Sequence, residues 1–214
     1  MNAWALLKRR WKRCNLKTQL LTNWEEQQRF KYLHLFKTNC TGMLSIITAG
    51  TEHASLLSKL STITFFDTYS NYNTPENMTK YCDNNFTTEQ LATQLIEPNT
   101  VFFIAFFNGM PAGFTKMRRA ENPEELIGKK HIEVERIYVL KDFQGKKIGY
   151  ELIQRCIEYA TQSHFEVIWL GVWQQNAKAL AFYQKIGFTI FSKHSFLLGD
   201  DDQTDWLMKL ELKN

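Results

Sequence analysis

The chain has 214 residues, 44% of them hydrophobic and 22% charged, and a net charge of +4. That length suffices for one well-cored domain with room for an appendage, and no apolar run approaches the roughly 18 residues that a membrane-spanning helix needs. The four cysteines (Cys14, Cys40, Cys82, Cys156) are scattered, with no CxxC spacing and no companion histidines, so we expect no metal site and buried free thiols in a reducing, cytoplasmic compartment.

The charge is unevenly placed. Residues 1–42 hold nine Lys/Arg against two Asp/Glu, and the remainder holds 17 against 20, so the net charges are +7 and −3. The basic cluster follows a short apolar piece instead of preceding it, and no small-residue cleavage site comes after, which argues against a secretory signal. The segment reads either as a basic extension able to touch anionic lipid or nucleic acid, or as a mis-assigned start or dispensable arm. The second reading is favoured because a compact domain begins cleanly at Met43. Residues 43–214 then form the working domain, whose acidic balance suits a cationic small substrate better than nucleic acid.

From Met43, Leu44–Thr48 reads as a short strand. Residues 51–62 follow as a helix with Leu56, Leu57 and Leu60 at helical spacing and Thr51 as N-cap. The segment Phe65-Phe66-Asp67-Thr68-Tyr69 leads into a second helix at Thr74, with Pro75 in its first turn. A third helix covers residues 88–96, opening at Thr87 or Thr88. Residues 101–107 and 112–118 are strands joined through Asn108-Gly109, a strong hairpin signal, and residues 119–130 form a loop. In the strand 131–139, Ile132 and Val134 share one parity and Ile137 and Val139 the other. Either one extra residue near Glu135-Arg136 forms a β-bulge that restores the phase, or the strand is buried on both faces.

The next stretch, Gln144-Gly145-Lys146-Lys147-Ile148-Gly149, combines two glycines, two lysines and the start of an amphipathic helix (residues 148–161). It reads equally as a phosphate cradle, with helix N–H groups aimed at the ligand, and as an ordinary strand-to-helix turn. Residues 165–173 are apolar on both parities, as in a central parallel strand. Asn176 caps a helix ended by Gly187, and residues 188–195 and 204–212 form a closing hairpin around a Gly-Asp-Asp-Asp turn. The order describes one α/β domain with a mixed sheet.

The strand Glu133-Val134-Glu135-Arg136-Ile137-Tyr138-Val139, the loop from Phe143 to Gly149 and the run from Asn176 to Phe188 together resemble the GNAT superfamily of N-acetyltransferases. More narrowly, the chain is similar to the PaiA-type spermidine/spermine N-acetyltransferases. The residues carrying this are Phe66-Asp67-Thr68-Tyr69, Pro75-Glu76-Asn77-Met78, Ile168-Trp169-Leu170-Gly171-Val172-Trp173, Ala181-Phe182-Tyr183-Gln184-Lys185-Ile186-Gly187-Phe188, His194-Ser195-Phe196 and Gly199-Asp200-Asp201-Asp202-Gln203-Thr204-Asp205. The likeness covers roughly residues 43–212. One position departs from the family loop: Lys147 stands where a glycine is usual. A lysine is compatible there if φ is negative, and its charge has the right sign for a pyrophosphate.

The resemblance implies an α/β GNAT (acyl-CoA N-acyltransferase) fold, a mixed twisted sheet with a splayed, bulged central strand flanked by helices. It implies direct transfer of acetyl from acetyl-CoA to a primary amine, with spermidine or spermine as the expected acceptor. In this picture Ile137, Tyr138 and Val139 hold the pantetheine, and the Val139 N–H is the oxyanion donor. The backbone of Gln144, Gly145, Lys146, Lys147, Ile148 and Gly149 cradles the pyrophosphate. Asn176 and Lys185 complete the cofactor set, with Asn176 equally readable as a helix cap alone. Tyr183 is the expected general acid, against a packing role. Glu133 is the chosen general base, against a solvated strand carboxylate, with Glu135 as neighbour. Asp67, Glu76, Asp200, Asp201, Asp202 and Asp205 form acidic surfaces that would attract a polycation, and His194 reads as a packed strand histidine more than a proton relay. A homodimer is compatible with the sequence, and no membrane partner is expected. Acetylation of protein lysines or N-termini, and a non-enzymatic regulator that senses acetyl-CoA, are the competing readings.

Overall fold

A computed structural model describes residues 42–119, 123–198 and 201–213. The arm up to residue 41, and with it the basic extension, lies outside the described residues. Two compact units are distinguished, Met1–Ser45 with Phe107–Met110, and Ile46–Phe106 with Pro111–Asn214. In the first, the Asn108 side-chain oxygen accepts from the Gly42 and Met43 amides at 2.9 and 3.0 Å. Asn108 and Gly109 both have positive φ, 53° and 76°, the requirement of the tightest hairpin turn. The Asn-Gly signal is therefore realised.

The strands are β1 (Leu44–Thr48), β2 (Thr100–Phe107), β3 (Met110–Arg118), β4 (His131–Val139), β5 (Val167–Trp173), β6 (Thr189–Leu198) and β7 (Asp201–Glu211). They form one sheet in the order β1-β2-β3-β4-β5-β7-β6. The helices are α1 (Ala54–Tyr69), α2 (Pro75–Asn85), α3 (Thr88–Ile96), α4 (Ile148–Gln162) and α5 (Ala177–Ile186). Thr74 and Thr87 cap α2 and α3 as expected, accepting from Asn77 and Gln90 amides at 3.2 Å each, and Gln90 completes the reciprocal capping box.

Two expectations are corrected. The first helix does not end at residue 62: a short 3-10 turn, Thr51–His53, precedes α1, which runs on to Tyr69. Thr64 and Phe65 are buried along it, so the buried face continues past residue 62. Nor is β5 a purely parallel strand. It is parallel to β4 on one side and antiparallel to β7 on the other, because β7 returns between β5 and β6. Burial on both faces follows from the helical layers, whatever the strand direction.

The core fills both faces of the sheet. Leu57, Leu91, Phe114, Met117, Leu152 and Ile153 have no exposed surface. Leu126, in the loop expected to be irregular, sits fully buried against Val167, Trp169 and Leu207. Replacing a fully buried phenylalanine such as Phe114 by alanine costs about 3–5 kcal/mol in cores of this kind.

Candidate active site at the splay of the central strands

The β-bulge is present. Lys116 pairs with Arg136 and the next residue, Met117, with Val134, so Glu135 is the extra residue. The contacts show its effect. Arg136 and Tyr138 face the α1–α3 layer: the Arg136 guanidinium donates to Gln94 Oε1 at 3.2 Å, and the Tyr138 ring lies 5.8 Å from Phe114. Val139 faces α4, with a methyl 3.7 Å from where a side chain on Gly149 would begin. One inserted residue thus places the Ile132/Val134 pair and the Ile137/Val139 pair on the same face.

The pairing of β4 with β5 covers only His131, Ile132 and Glu133, opposite Val167, Ile168 and Trp169. Beyond Glu133 the two strands part, while β4 stays paired with β3 as far as Val139. The Leu140 amide donates to Ala112 at 2.8 Å and the Arg136 carbonyl accepts from Thr115 Oγ1 at 2.8 Å, both toward β3. Because backbone groups alternate along a strand, the N–H and C=O of Ile137 and Val139 point the other way, into the splay. Gln144 confirms the direction by donating to the Val139 carbonyl at 3.4 Å. The bend that the bulge introduces thus leaves a short ladder of strand hydrogen-bonding groups without β5 opposite.

The loop after β4 turns through a 3-10 turn, Lys141–Phe143, and Gly145 with φ 80°, and enters α4 at Ile148. Lys147 is the N-cap residue and has φ 62° and ψ 6°. The expectation of a negative φ is therefore wrong. The position demands the left-handed region, where a Cβ crowds the carbonyl oxygen and costs an L-residue about 1–2 kcal/mol, which is why glycine suits it. The Lys147 side chain makes no cap hydrogen bond to the first turn of α4, whereas threonines cap α2 and α3 and Asn176 caps α5. The first-turn amides of a helix lack intrahelical partners, and here they lie beside the exposed Lys146 and Lys147. The Ile148 side chain points into the core, 1% exposed, so only its backbone could serve a ligand.

Helix α5 flanks the opening. The Asn176 side-chain oxygen accepts from the Ala179 amide at 3.1 Å, the cap role that the sequence allowed. Lys178 donates to Gln144 Oε1 at 3.3 Å, joining α5 to the loop. Lys185 is exposed in the last turn. Tyr183 is 7% exposed, with rings of Phe182 and Phe188 at 5.1 and 5.8 Å. Burial, with smaller effects from Cys156 and Tyr69, pushes its phenol well above the usual range, so it stays protonated. The residue that the sequence reading passed over is Tyr69, at the end of α1. Its hydroxyl interacts with that of Tyr138, and burial pushes its own ionisation up to about 12. Its ring lies 6.1 Å from that of Trp173. Tyr69 therefore spans the open ends of β4 and β5. In the sequence it stands only as the last residue of the stretch Phe66-Asp67-Thr68-Tyr69, with no role of its own; the length of α1 puts it there.

Glu133 and Glu135 are held in an ion-pair network. Arg118 Nε lies 2.7 Å from Glu133 and 3.3 Å from Glu135; Glu135 also takes Lys116 at 2.7 Å and Arg136 at 3.1 Å. Burial raises the Glu133 carboxyl above its ordinary range against the pull of Arg118; in Glu135, Arg136 and Lys116 outweigh burial and hold the carboxyl low. Glu133 lies at the closed end of the splay, opposite Trp169, and so apart from Val139. Asp67, Glu76 and His194 are exposed. Asp205 is half-buried on β7, and Asp200 lies outside the described residues.

The chain matches the model of the acetyltransferase (GNAT) family over residues 62–188. An uncharacterised N-acetyltransferase from the pepI 3′ region of Lactobacillus delbrueckii subsp. lactis is 36% identical over 153 residues, 72% of this chain and 88% of that protein. An uncharacterised N-acetyltransferase of Mycobacterium tuberculosis is 27% identical over 138 residues, covering 64% and 84% of the two chains. Among solved structures, the PaiA N-acetyltransferase of Thermoplasma acidophilum in complex with coenzyme A shares the fold with a TM-score of 0.65 at 20% identity, over 79% of this chain and 99% of that one. The ribosomal-protein-S18-alanine N-acetyltransferase of Escherichia coli does so with a TM-score of 0.61 at 17% identity, over 80% and 96%. With its bulged, splayed central strand and the family match across that region, the chain belongs to the GNAT family and is an acetyl-CoA-dependent N-acetyltransferase.

Proposed function

We propose that the protein acetylates a small primary amine of the polyamine class, spermidine or spermine, by direct transfer within the splay. The observation that carries the donor side is the first turn of α4, where the Lys147 side chain makes no cap hydrogen bond, behind Gly145, Lys146 and Lys147. Those amides and cations fit a pyrophosphate, and the Ile137 and Val139 backbone groups fit the amides of a pantetheine arm. Acetyl-CoA supplies the acetyl thioester when bound. The Val139 N–H is then the donor toward the carbonyl oxygen, a role worth about 3 kcal/mol in other enzymes. Tyr183, kept protonated by burial, gives its proton to the departing sulfur.

The acceptor must lose a proton before it attacks. An alkylammonium with pKa near 10.4 costs about 4–5 kcal/mol to neutralise at pH 7, so a carboxylate, directly or through water, is the natural proton sink. Glu133 keeps that role in the proposal only if Arg118 releases it, since the pair is 2.7 Å apart. The polyamine assignment draws on the PaiA-like stretches, among them the acidic run ending at Asp205. Incubating the purified protein with acetyl-CoA and a panel of polyamines, monoamines and peptides tests it. Thiol release with spermidine or spermine at low concentration supports the reading. Release only with peptides would move the activity to protein acetylation, and release with no acceptor would remove the proposal.

A further inference from the structure

On the α1 side of the sheet, beyond the splay, three residues form a cross-strand row. Trp173 of β5 is directly opposite Asp205 of β7, and Asp205 is directly opposite His194 of β6. Directly opposed residues project from the same face of a sheet. The Trp173 ring meets Tyr72 edge-on at 4.7 Å and Tyr69 at 6.1 Å, which fixes that face as the α1 side and builds an aromatic wall. Tyr72 is 56% exposed, so its ring is accessible to a ligand.

Gly171 shares the row's face, two residues before Trp173, and the Asp205 carboxylate leans over it. A Cβ at Gly171 would lie 3.4 Å from Asp205 Oδ2 and 3.6 Å from His194 Cε1. Glycine there leaves the space beside the carboxylate open. Among the described residues no Lys or Arg pairs with Asp205, in contrast to Glu133 and Glu135, which arginine and lysine hold. Burial keeps the Asp205 carboxyl above the usual range, and His194 only partly offsets this. The site thus offers a half-buried anion lacking a strong counter-charge, an open floor and an aromatic wall. Those are the features that bind an alkylammonium.

We infer that Asp205 holds an ammonium group of the acceptor, with Trp173 and Tyr72 packed along its methylene chain and Gly171 keeping the floor clear. The inference rests on the amine-acetyltransferase reading and names the residue that selects a cationic acceptor. The donor groups of α4 and α5 lie on the opposite side of the sheet from this wall, so donor and acceptor would meet through the splay.

The test compares full-length wild type with Asp205→Asn, Asp205→Glu and Gly171→Val, using spermidine as acceptor and calorimetry of acetyl-CoA binding as the check on folding. Expected are a rise of about tenfold or more in spermidine KM for Asp205→Asn, substantial retention in Asp205→Glu, and acetyl-CoA affinity unchanged in both. Gly171→Val fills the floor without changing any charge, so it raises spermidine KM even if Asp205→Asn proves unstable. Unchanged spermidine KM in the folded variants overturns the inference while leaving the enzyme an amine acetyltransferase. No turnover by wild type with any amine removes the underlying reading, and this inference with it.

Discussion

Lys147 illustrates a conflict resolved at one residue. Its φ of 62° is strained for lysine, yet it brings an exposed positive charge to the N-terminus of α4. Lys147→Gly relieves the left-handed strain but adds unfolded-chain entropy, so stability should rise by about 0.5–1 kcal/mol, read as a higher midpoint in thermal unfolding. Acetyl-CoA affinity should fall about three- to tenfold at low ionic strength, with the difference shrinking as salt is added. Equal affinity at low salt would show that the charge does not touch the pyrophosphate. Tyr183 permits a cleaner separation. Its ring is buried and no hydrogen bond of its hydroxyl is found among the described residues, so Tyr183→Phe should leave stability within about 0.5 kcal/mol. As the proton donor it should cost about 100-fold in kcat with acetyl-CoA affinity unchanged. A variant that keeps full kcat would return Tyr183 to packing alone.

The element that organises the site is β4, and its bulge is secured by charge as well as by pattern. Glu135 is the inserted residue, and it faces Lys116, Arg118 and Arg136. Lys116 is buried, and burial holds its ammonium below the usual range, so it depends on that carboxylate. Glu135→Gln should destabilise the fold by about 3 kcal/mol, because it leaves a buried cation unpaired. Adding Lys116→Met should recover part of the loss, as measured by denaturant unfolding. Additive destabilisation in the double variant would mean that the two residues act independently. The bulge was legible from the parity change between Ile132/Val134 and Ile137/Val139, which left two readings open. The register and the Gln94, Phe114 and Gly149 contacts decide for the bulge. The ion-pair network had no such signal, since Lys116 and Glu135 are on different strands and meet only through the β3–β4 register.

At the level of the whole molecule, acid stability has an identifiable contributor. Trp169 Nε1 can only donate, and it does so to His131 Nδ1 at 3.2 Å, so that nitrogen must be unprotonated. Burial accordingly lowers the His131 pKa. A base depressed in the folded state binds fewer protons than the unfolded chain, so stability is full above about pH 6.5 and declines as pH falls below it. The thermal midpoint should drop between about pH 7 and 5, and His131→Gln, which still offers an acceptor oxygen, should flatten that slope. An unchanged slope would place the acid sensitivity elsewhere. Local chemistry was readable along the chain: the Asn-Gly turn, the Thr74, Thr87 and Asn176 caps, the amphipathic stripe of α4, and a glycine- and lysine-rich loop before it. Each depends on residues within a few positions of one another, where backbone sterics and periodicity act. Other features required the fold: the left-handed φ of Lys147, the reach of α1 to Tyr69, the closure of Arg118 on Glu133, and the row of Trp173, Asp205 and His194. These arise from the pairing of strands distant in sequence and from the layers packed on them, which the order of residues along one strand does not encode.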